Sequence, residues 1–262
     1  MCYDDQARPP APPGTSVPAQ GLDVVLTASD GTRFAAYAAF PAKPTGPQVI
    51  IYPDVRGLHQ FYKELALRFA EVGITALALD YFGRTAGLTS RDESFDYKPH
   101  IQEIRIPTFS QDVQAGLAYL REKAGAGSGT FVIGFCMGGS LTLLTGTNTS
   151  FELAGLIPFY AGLTRDFAGY GTVLDKADKV AYPVLALFGG ADQGIPESAV
   201  KQLDEKLDSA KVEHTVVTYP GATHSFFDKR ATEFADASAD AWRRVLDFVA
   251  HHSAPTEPHK PE

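Results

Sequence analysis

Short, mostly apolar runs alternate along this chain with stretches in which apolar residues return every three or four positions. The runs predict buried strands; they cover 49–52, 75–79, 130–133, 155–159, 184–188 and 215–218. Phe61, Leu65 and Phe69 illustrate the second pattern, which predicts amphipathic helices. Further helices are predicted from Pro107 onward, over 197–207 and around Trp242, Val245 and Phe248. The alternation predicts an α/β fold, a mostly parallel sheet with helices on both faces.

The two ends of the chain follow a different pattern. Residues 22–28 and 34–40 flank a Ser-Asp-Gly-Thr turn signal, which predicts an antiparallel hairpin at the start of the fold. Residues 1–20 contain five prolines and predict an extended or disordered arm. Residues 253–262 predict a disordered tail for the same reason. A single folded domain is therefore expected over 21–252.

Composition narrows the class of protein further. With 44% hydrophobic residues, 262 residues suffice for the core of one large domain. Acidic residues outnumber basic ones by 31 to 23, a net charge of −8, so we expect neither nucleic acid nor an anionic membrane as a partner. The sequence has no apolar run of about 18 residues and no basic segment followed by an apolar one at its start, which predicts a cytoplasmic protein.

The segment 134–139, Gly-Phe-Cys-Met-Gly-Gly, joins the strand predicted at 130–133 to a helix-forming run. A strand, a small-x-nucleophile-x-small turn and a helix make up a nucleophile elbow, whose glycines relieve crowding at a sharp turn. Serine usually holds the central position, and here it is Cys136. The positive end of the helix dipole favours the thiolate, so the sequence predicts a cysteine nucleophile. The alternative is a small buried hydrophobe.

A cysteine nucleophile needs a base, a group that orients the base, and donors for the oxyanion. His224 lies in a glycine-led loop between the last predicted strand and the last helix, and Asp192 follows the strand before it. The order cysteine, aspartate, histidine is that of an α/β-hydrolase triad. Asp192 could instead cap the helix that begins near Pro196. The predicted oxyanion donors are the backbone N–H groups of Met137 and Val55.

The remaining histidines and the second cysteine have weaker claims to a role. His214 lies in a predicted strand and is interpreted as structural, while His59 and His100 sit in loops without a supporting motif. Those at or beyond the last helix are interpreted as solvated; they are His251, His252 and His259. Cys2 lies in the proline-rich arm. Two cysteines without a Cys-x-x-Cys spacing make no zinc site, so no metal is expected.

Five segments together resemble the dienelactone hydrolase (carboxymethylenebutenolidase) family, and the resemblance runs over about 22–249; the segments are 54–57, 79–82, 134–139, 188–192 and 221–226. The cysteine in the elbow separates this group from most relatives, which use serine. The resemblance implies the α/β-hydrolase fold, no cofactor, and hydrolysis of the enol-lactone ring of dienelactone to maleylacetate through an acyl-cysteine. It also implies a thiol-activating carboxylate at the position of Asp54, where the family pattern has glutamate.

The resemblance further implies arginines that hold the carboxylate of the substrate, one of them shortly after the catalytic histidine. At that place the sequence has Asp228 where an arginine is expected. Arg230 is the candidate replacement, helped by other basic residues, which are Arg56, Arg84 and Lys98. Tyr160 follows the strand at 155–159 and is expected to line the pocket or to be an ordinary wall residue.

The sequence therefore predicts a hydrolase that acts on a small lactone or ester as a monomer or homodimer. A broad-specificity carboxylesterase or thioesterase with the same triad is the alternative, favoured by the aspartates at 54 and 228. An amidotransferase-like protein or a cysteine redox sensor fits less well, because amidotransferases use a His-x-Glu pair whereas Asp192 and His224 are 32 positions apart. A non-catalytic binding module would leave Cys136 unreactive toward iodoacetamide.

Overall fold

The computed structural model describes residues 5–14, 16–125 and 127–253, so Cys2 and positions 254–262 of the predicted tail lie outside it. The strands are β1 Ala19–Thr27, β2 Arg33–Pro41, β3 Gln48–Tyr52, β4 Thr75–Leu79, β5 Thr130–Phe135, β6 Gly155–Phe159, β7 Val184–Gly189 and β8 His214–Tyr219. The helices are α1 Gln60–Glu71, α2 Gly83–Ala86, α3 Lys98–Ile101, α4 Ile106–Ala124, α5 Met137–Thr145, α6 Val173–Lys176, α7 Glu197–Ser209 and α8 Ala235–Ser253. Short 3-10 turns occur at Thr149–Phe151 and Ala177–Lys179.

The described strands form one sheet in the order β1-β2-β4-β3-β5-β6-β7-β8. β1 pairs antiparallel with β2 and β2 with β4, whereas β4, β3, β5, β6, β7 and β8 are parallel neighbours. The five strands from β3 to β7 are almost entirely buried, as their continuous apolar runs predict. The predicted fold class is confirmed, and the parallel strands all direct their carboxyl ends to one edge of the sheet.

Consecutive residues of β5 show how helices cover both faces of this sheet. Gly134 faces α5, because a Cβ at that position would lie 2.2 Å from a backbone oxygen of α5. The ring of Phe135 points the other way and packs against Tyr62 of α1, with centroids 5.6 Å apart. α8 shares the face of α1, where the rings of Phe69 and Trp242 are 4.8 Å apart. The two faces are therefore set by the strand's alternation of side chains.

The predicted strands and long helices lie within a few residues of the observed ones, and the hairpin of β1 and β2 is as predicted. Three one-turn helices, α2, α3 and α6, were not predicted, because a single turn is too short to show a helical period. α6 nevertheless begins with a capping box, in which Thr172 and Asp175 bond to each other's backbone. In the part of the chain that the structure describes, no helix is both long and apolar enough to cross a bilayer.

The described part of the N-terminal arm lies extended across α1 and α8. Pro9 is buried, and the carbonyl oxygen of Pro10 accepts a hydrogen bond from Nε1 of Trp242 at 2.9 Å. Val17 then donates its N–H to the carbonyl oxygen of Glu71 at 2.8 Å. The arm therefore connects the end of α1 to the middle of α8 on the same face of the sheet.

Candidate active site

Cys136 forms the sharp turn between β5 and α5. β5 ends at Phe135 and α5 begins at Met137, so a single residue reverses the chain. Its backbone has φ 56° and ψ −114°, a conformation that costs a residue with a Cβ about 1–3 kcal/mol and occurs mainly at functional sites. The half-buried thiol stands at the N-terminus of α5, where the helix dipole favours a negative charge. The turn has the geometry of a nucleophile elbow.

Close backbone approaches explain the glycines on either side of Cys136. A Cβ on Gly134 would lie 2.2 Å from the carbonyl oxygen of Gly138. A Cβ on Gly138 would lie 2.1 Å from the carbonyl oxygen of Pro53 and 2.3 Å from that of Tyr52. Neither Gly134 nor Gly138 has room for a Cβ atom. The absence of a Cβ at Gly138 lets the loop after β3 press against the first turn of α5.

The two predicted oxyanion donors lie on the segments that meet at this contact. Met137 is the first residue of α5, so its N–H has no partner within the helix. Val55 lies in the loop after β3, in a turn closed by the Gly57 N–H and the Asp54 carbonyl oxygen at 3.1 Å. Backbone N–H groups from adjoining segments beside a nucleophile are the usual elements of an oxyanion hole.

Replacing Gly138 by alanine is expected to damage both stability and activity. The new methyl group would collide with two backbone oxygens, so α5 or the loop after β3 would have to move. We expect a loss of about 3 kcal/mol in the free energy of unfolding. If the displaced loop carries an oxyanion donor, kcat for an ester should fall by about 10²-fold or more. Urea titration and an ester assay measure the two effects.

Gly162→Ala is the matched control for this substitution. A Cβ at Gly162 would meet the Ser140 hydroxyl oxygen at 3.4 Å, which is ordinary van der Waals contact. The control should keep the wild-type stability to within about 1 kcal/mol. Wild-type stability and activity in the Gly138→Ala variant would contradict the packing described between α5 and the loop after β3.

Asp192 and His224 are in hydrogen-bond contact although they are 32 positions apart in sequence. Asp192 Oδ2 lies 2.6 Å from His224 Nδ1. The carboxylate is almost completely buried, and its Oδ1 accepts the Gly194 N–H at 2.8 Å, which fixes its orientation. The imidazole keeps a third of its surface exposed. With Nδ1 donating to the carboxylate, Nε2 of the neutral ring is an acceptor, as a general base requires.

Hydrogen bonds and ring contacts link the strand ends that carry these groups. The Cys136 N–H donates to the carbonyl oxygen of the last residue of β6 at 3.0 Å. Tyr160, the next residue, donates its N–H to the carbonyl oxygen of Leu187 in β7 at 2.7 Å. The Tyr160 ring lies 4.9 Å from the imidazole of His224, centroid to centroid. The elbow, Tyr160 and the histidine loop therefore form one patch at the carboxyl edge of the sheet.

A buried carboxyl group lies behind Tyr160. The Tyr160 O–H donates to Asp228 Oδ2 at 2.7 Å, and both side chains are buried. Burial raises the pKa of Asp228 to about 7; the hydrogen bond from Tyr160 opposes this shift, and the charge of Asp54 adds to it. The sequence marks Asp228 only as a missing arginine. Its contact with Tyr160, 68 positions away, has no local signal and was not predicted.

Asp54 is fully buried in the loop after β3. Its Oδ1 accepts the Arg56 N–H at 2.9 Å, and the neighbouring Pro53 carbonyl oxygen accepts the Tyr81 O–H at 3.0 Å. These bonds shape the loop that carries a predicted oxyanion donor. Because the charge of Asp54 raises the pKa of Asp228, the two carboxyl groups influence each other across the site.

The guanidinium of Arg84 is held by other side chains. Its guanidinium pairs with the carboxylates of Asp30 and Asp112, Nη2 and Asp112 Oδ1 being 2.8 Å apart. The same group also donates to Thr32 Oγ1 at 2.9 Å and to the carbonyl oxygen of Thr108 at 3.0 Å. All its donor nitrogens are engaged between the hairpin turn and α4. These contacts hold the guanidinium in place, and the contact of Arg84 with substrate stays a prediction.

Arg230, one of the predicted basic residues, lies next to the loop that carries His224. Its Nη1 donates to Thr223 Oγ1 at 2.5 Å, and its Nη2 lies 2.6 Å from Glu233 Oε1. Together with Asp192, His224 and adjoining residues it lines a cavity of about 530 Å³. The other two basic candidates differ in exposure: Arg56 is buried in the loop after β3, and Lys98 is exposed at the start of α3.

Among the residues that the structure describes, two groups of possible metal-ligand atoms occur at the opposite edge of the sheet. One combines His214 with two aspartates of α7, and the other combines Glu213 with two histidines of α8. His214 Nε2 lies 3.1 Å from Asp204 Oδ1, an ordinary ion-pair distance. Both groups lie at the amino end of β8, and neither includes a residue of the predicted triad.

Comparison with known proteins places this geometry in a family. Residues 34–253 match the dienelactone hydrolase family. A protein from Methylorubrum extorquens, named provisionally as a carboxymethylenebutenolidase, is 28% identical over 88% of this chain and 80% of its own length. The carboxymethylenebutenolidase of Pseudomonas putida is 26% identical over 87% of this chain and 95% of its own.

Solved structures agree with the sequence relatives. The crystal structure of a protein from Klebsiella pneumoniae, named provisionally as a dienelactone hydrolase, superposes with a TM-score of 0.76. It is 25% identical and covers 88% of this chain and 99% of its own. The chain thus belongs to the dienelactone hydrolase family of α/β-hydrolases.

Proposed function

We propose that this hydrolase cleaves lactones or small carboxylic esters through an acyl-cysteine at Cys136. The observation that carries the proposal is the 2.6 Å contact between Asp192 and His224, at the sheet edge to which the elbow brings the thiol. Membership of the dienelactone hydrolase family supports the reaction class. The triad and the oxyanion donors are assigned from this geometry.

In the acylation step, His224 acts first as a base and then as an acid. His224 takes the thiol proton at Nε2, and the thiolate of Cys136 attacks the carbonyl carbon of the substrate. The carbonyl electron pair moves to the oxygen, which accepts hydrogen bonds from the backbone N–H groups of Met137 and Val55. When this intermediate collapses, the bond from carbon to the leaving oxygen breaks. His224, held by Asp192, returns the proton to that oxygen.

Deacylation follows the same steps, with water in place of the thiol as the nucleophile. His224 removes a proton from a water molecule, whose oxygen attacks the thioester carbon. The carbon–sulfur bond then breaks, His224 returns its proton to the departing sulfur to regenerate the Cys136 thiol, and the carboxylic acid leaves. With dienelactone the leaving oxygen belongs to the ring, so addition of one water gives the single product maleylacetate. No cofactor takes part in either step.

Asp54 is proposed as the carboxylate that assists thiol ionisation. It is fully buried in the loop that presses against the first turn of α5, which places its charge close to the elbow. Aspartate is one methylene shorter than glutamate, and one oxygen of Asp54 already accepts the Arg56 N–H. Its influence on the thiol is therefore proposed to act through the field of its charge.

The enol-lactone of dienelactone is the first substrate candidate, supported by the activity for which the relatives are named. A broad-specificity carboxylesterase or thioesterase is the second. One observation favours it: Arg84 is bound to two carboxylates, so it does not offer a free cation to an anionic lactone. Comparison of kcat/KM for dienelactone and p-nitrophenyl acetate separates the two candidates, because a dedicated lactonase should prefer dienelactone strongly.

Trapping the intermediate tests the reaction itself. When the enzyme is mixed with p-nitrophenyl acetate and quenched with acid within one turnover, we expect one acetyl group on the peptide that contains Cys136. Mass spectrometry of the digested protein locates the label, and pre-treatment with iodoacetamide should prevent it. An acetyl group on any other side chain, at full turnover, would contradict the proposed nucleophile.

A further inference from the structure

Asp228 places a buried carboxyl group one side chain away from the proposed catalytic imidazole. The residue is 2% exposed, and its Oδ2 accepts the Tyr160 O–H at 2.7 Å. The Tyr160 ring in turn lies 4.9 Å from the ring of His224. The Asp228 N–H donates to the carbonyl oxygen of Ser225 at 3.2 Å, which fixes the carboxyl group on the histidine loop. The proposed acyl-transfer steps do not use this group.

The charges around Asp228 give this side of the site an acidic character. Asp54 and His224 both act electrostatically on its carboxyl group, so the three side chains share one field. The nearby Arg230 is paired with a glutamate of its own segment, and Arg84 is paired with two aspartates. Charges inside a protein are screened much less than charges in water. The Asp228 carboxyl group therefore acts in the field around the proposed catalytic imidazole of His224.

We propose that Asp228 is a specificity-determining residue: with Tyr160 it forms an acidic wall that disfavours substrates carrying a carboxylate and makes neutral and cationic esters the preferred class. The inference rests on the proposed function, since it concerns which substrates reach the same acyl-cysteine chemistry. It favours the second candidate, a broad-specificity esterase, over dienelactone, whose carboxylate the wall would repel. Rejection by like charge is a common basis of specificity. An anionic ester should then react more slowly than a neutral ester of the same length.

The preference for neutral over anionic esters should increase as the pH rises. Burial raises the pKa of Asp228 to about 7. Below that pH the group is a neutral acid and does not repel a substrate carboxylate; above it the group is charged and does. The groups packed around it are Tyr160 at the end of β6, Asp54 in the loop after β3 and His224 in its own loop. Protonation of the proposed base, His224, changes the rate for every substrate. The ratio of kcat/KM for two substrates cancels that common effect.

The test compares p-nitrophenyl butyrate, which is neutral, with mono-p-nitrophenyl succinate, which has a similar length and a carboxylate. For the wild type, we expect the ratio of kcat/KM, neutral over anionic, to rise about tenfold between pH values one to two units below and above the Asp228 pKa. In Asp228→Asn, which keeps an acceptor for Tyr160, the ratio should stay flat. Asp178→Asn makes the same change at an exposed position and should follow the wild type.

Tyr160→Phe gives a second readout that a merely structural role would not produce. The hydrogen bond from Tyr160 lowers the pKa of Asp228, so its removal should shift the midpoint of the ratio to higher pH. This variant decides the question if Asp228→Asn does not fold. A ratio that is independent of pH in the wild type, or unchanged in Asp228→Asn, overturns the inference while ester hydrolysis stands. Failure to hydrolyse any ester would instead overturn the proposed function.

Discussion

Replacing Cys136 by alanine is expected to lower kcat/KM for p-nitrophenyl acetate by at least about 10⁴-fold. Alanine has no group that could form the acyl intermediate, and Cys136 is the residue at the N-terminus of α5. The oxyanion donors and His224 would remain, so a small activity above that of water should survive. The methyl side chain fits the backbone of the elbow as well as the cysteine does, so we expect little change in stability.

Cys2→Ala is the matched control, since the sequence has two cysteines. It should keep the wild-type rate, and iodoacetamide should still abolish its activity. The measurement is initial-rate kinetics on purified proteins, with urea titration to show that both variants are folded. Wild-type kcat/KM in Cys136→Ala would exclude the thiol as nucleophile and with it the proposed reaction path.

Asp192→Asn should reduce kcat by about 10³- to 10⁴-fold without loss of the fold. Asparagine has the shape of the aspartate, but its amide can donate to His224 Nδ1, where the carboxylate oxygen now lies at 2.6 Å. The imidazole would then carry its proton on Nε2 and could not accept the proton of the thiol. Loss of the negative charge also removes the stabilisation of the imidazolium that forms during acylation.

Initial rates and far-ultraviolet circular dichroism check this expectation. Asp236→Asn removes a carboxylate at an exposed position in the first turn of α8 and serves as the control. Its activity should equal that of the wild type. A loss of less than about tenfold in Asp192→Asn would show that the 2.6 Å contact is not needed for proton transfer.

The parts of the fold and of the site that a local stretch of sequence determines could be predicted. The strands of the core appear as continuous apolar runs, and the elbow is a local pattern of glycines around Cys136. The order of Asp192 and His224 after successive strands reflects chain topology, which alternating strands and helices already specify. The contact between these two side chains follows from that topology, because parallel strands bring their carboxyl ends together.

Contacts between distant polar side chains were not predictable in the same way. Arg84 is a predicted substrate residue, and the sequence does not indicate the ion pairs of its guanidinium with Asp30 in the hairpin turn and Asp112 in α4. Asp228 is recognised in the sequence as an unexpected residue, but its partner Tyr160 is 68 positions away. Such pairs leave no periodic pattern, because each needs one side chain at one point of the fold. They also determine the charge of the site, which is why the preferred substrate is harder to predict than the chemistry.

The arm that joins Pro10 to Trp242 has a consequence for the order of folding. The hydrogen bond between them connects residues 232 positions apart, so it closes nearly the whole chain into a loop. Contacts of such high sequence separation form late, because the entropy of the intervening chain must be lost first. On the ribosome the arm therefore emerges early but must wait for α8 before it can dock. During refolding, the indole N–H of Trp242, which donates to Pro10, should accordingly become protected from hydrogen exchange after the central strands.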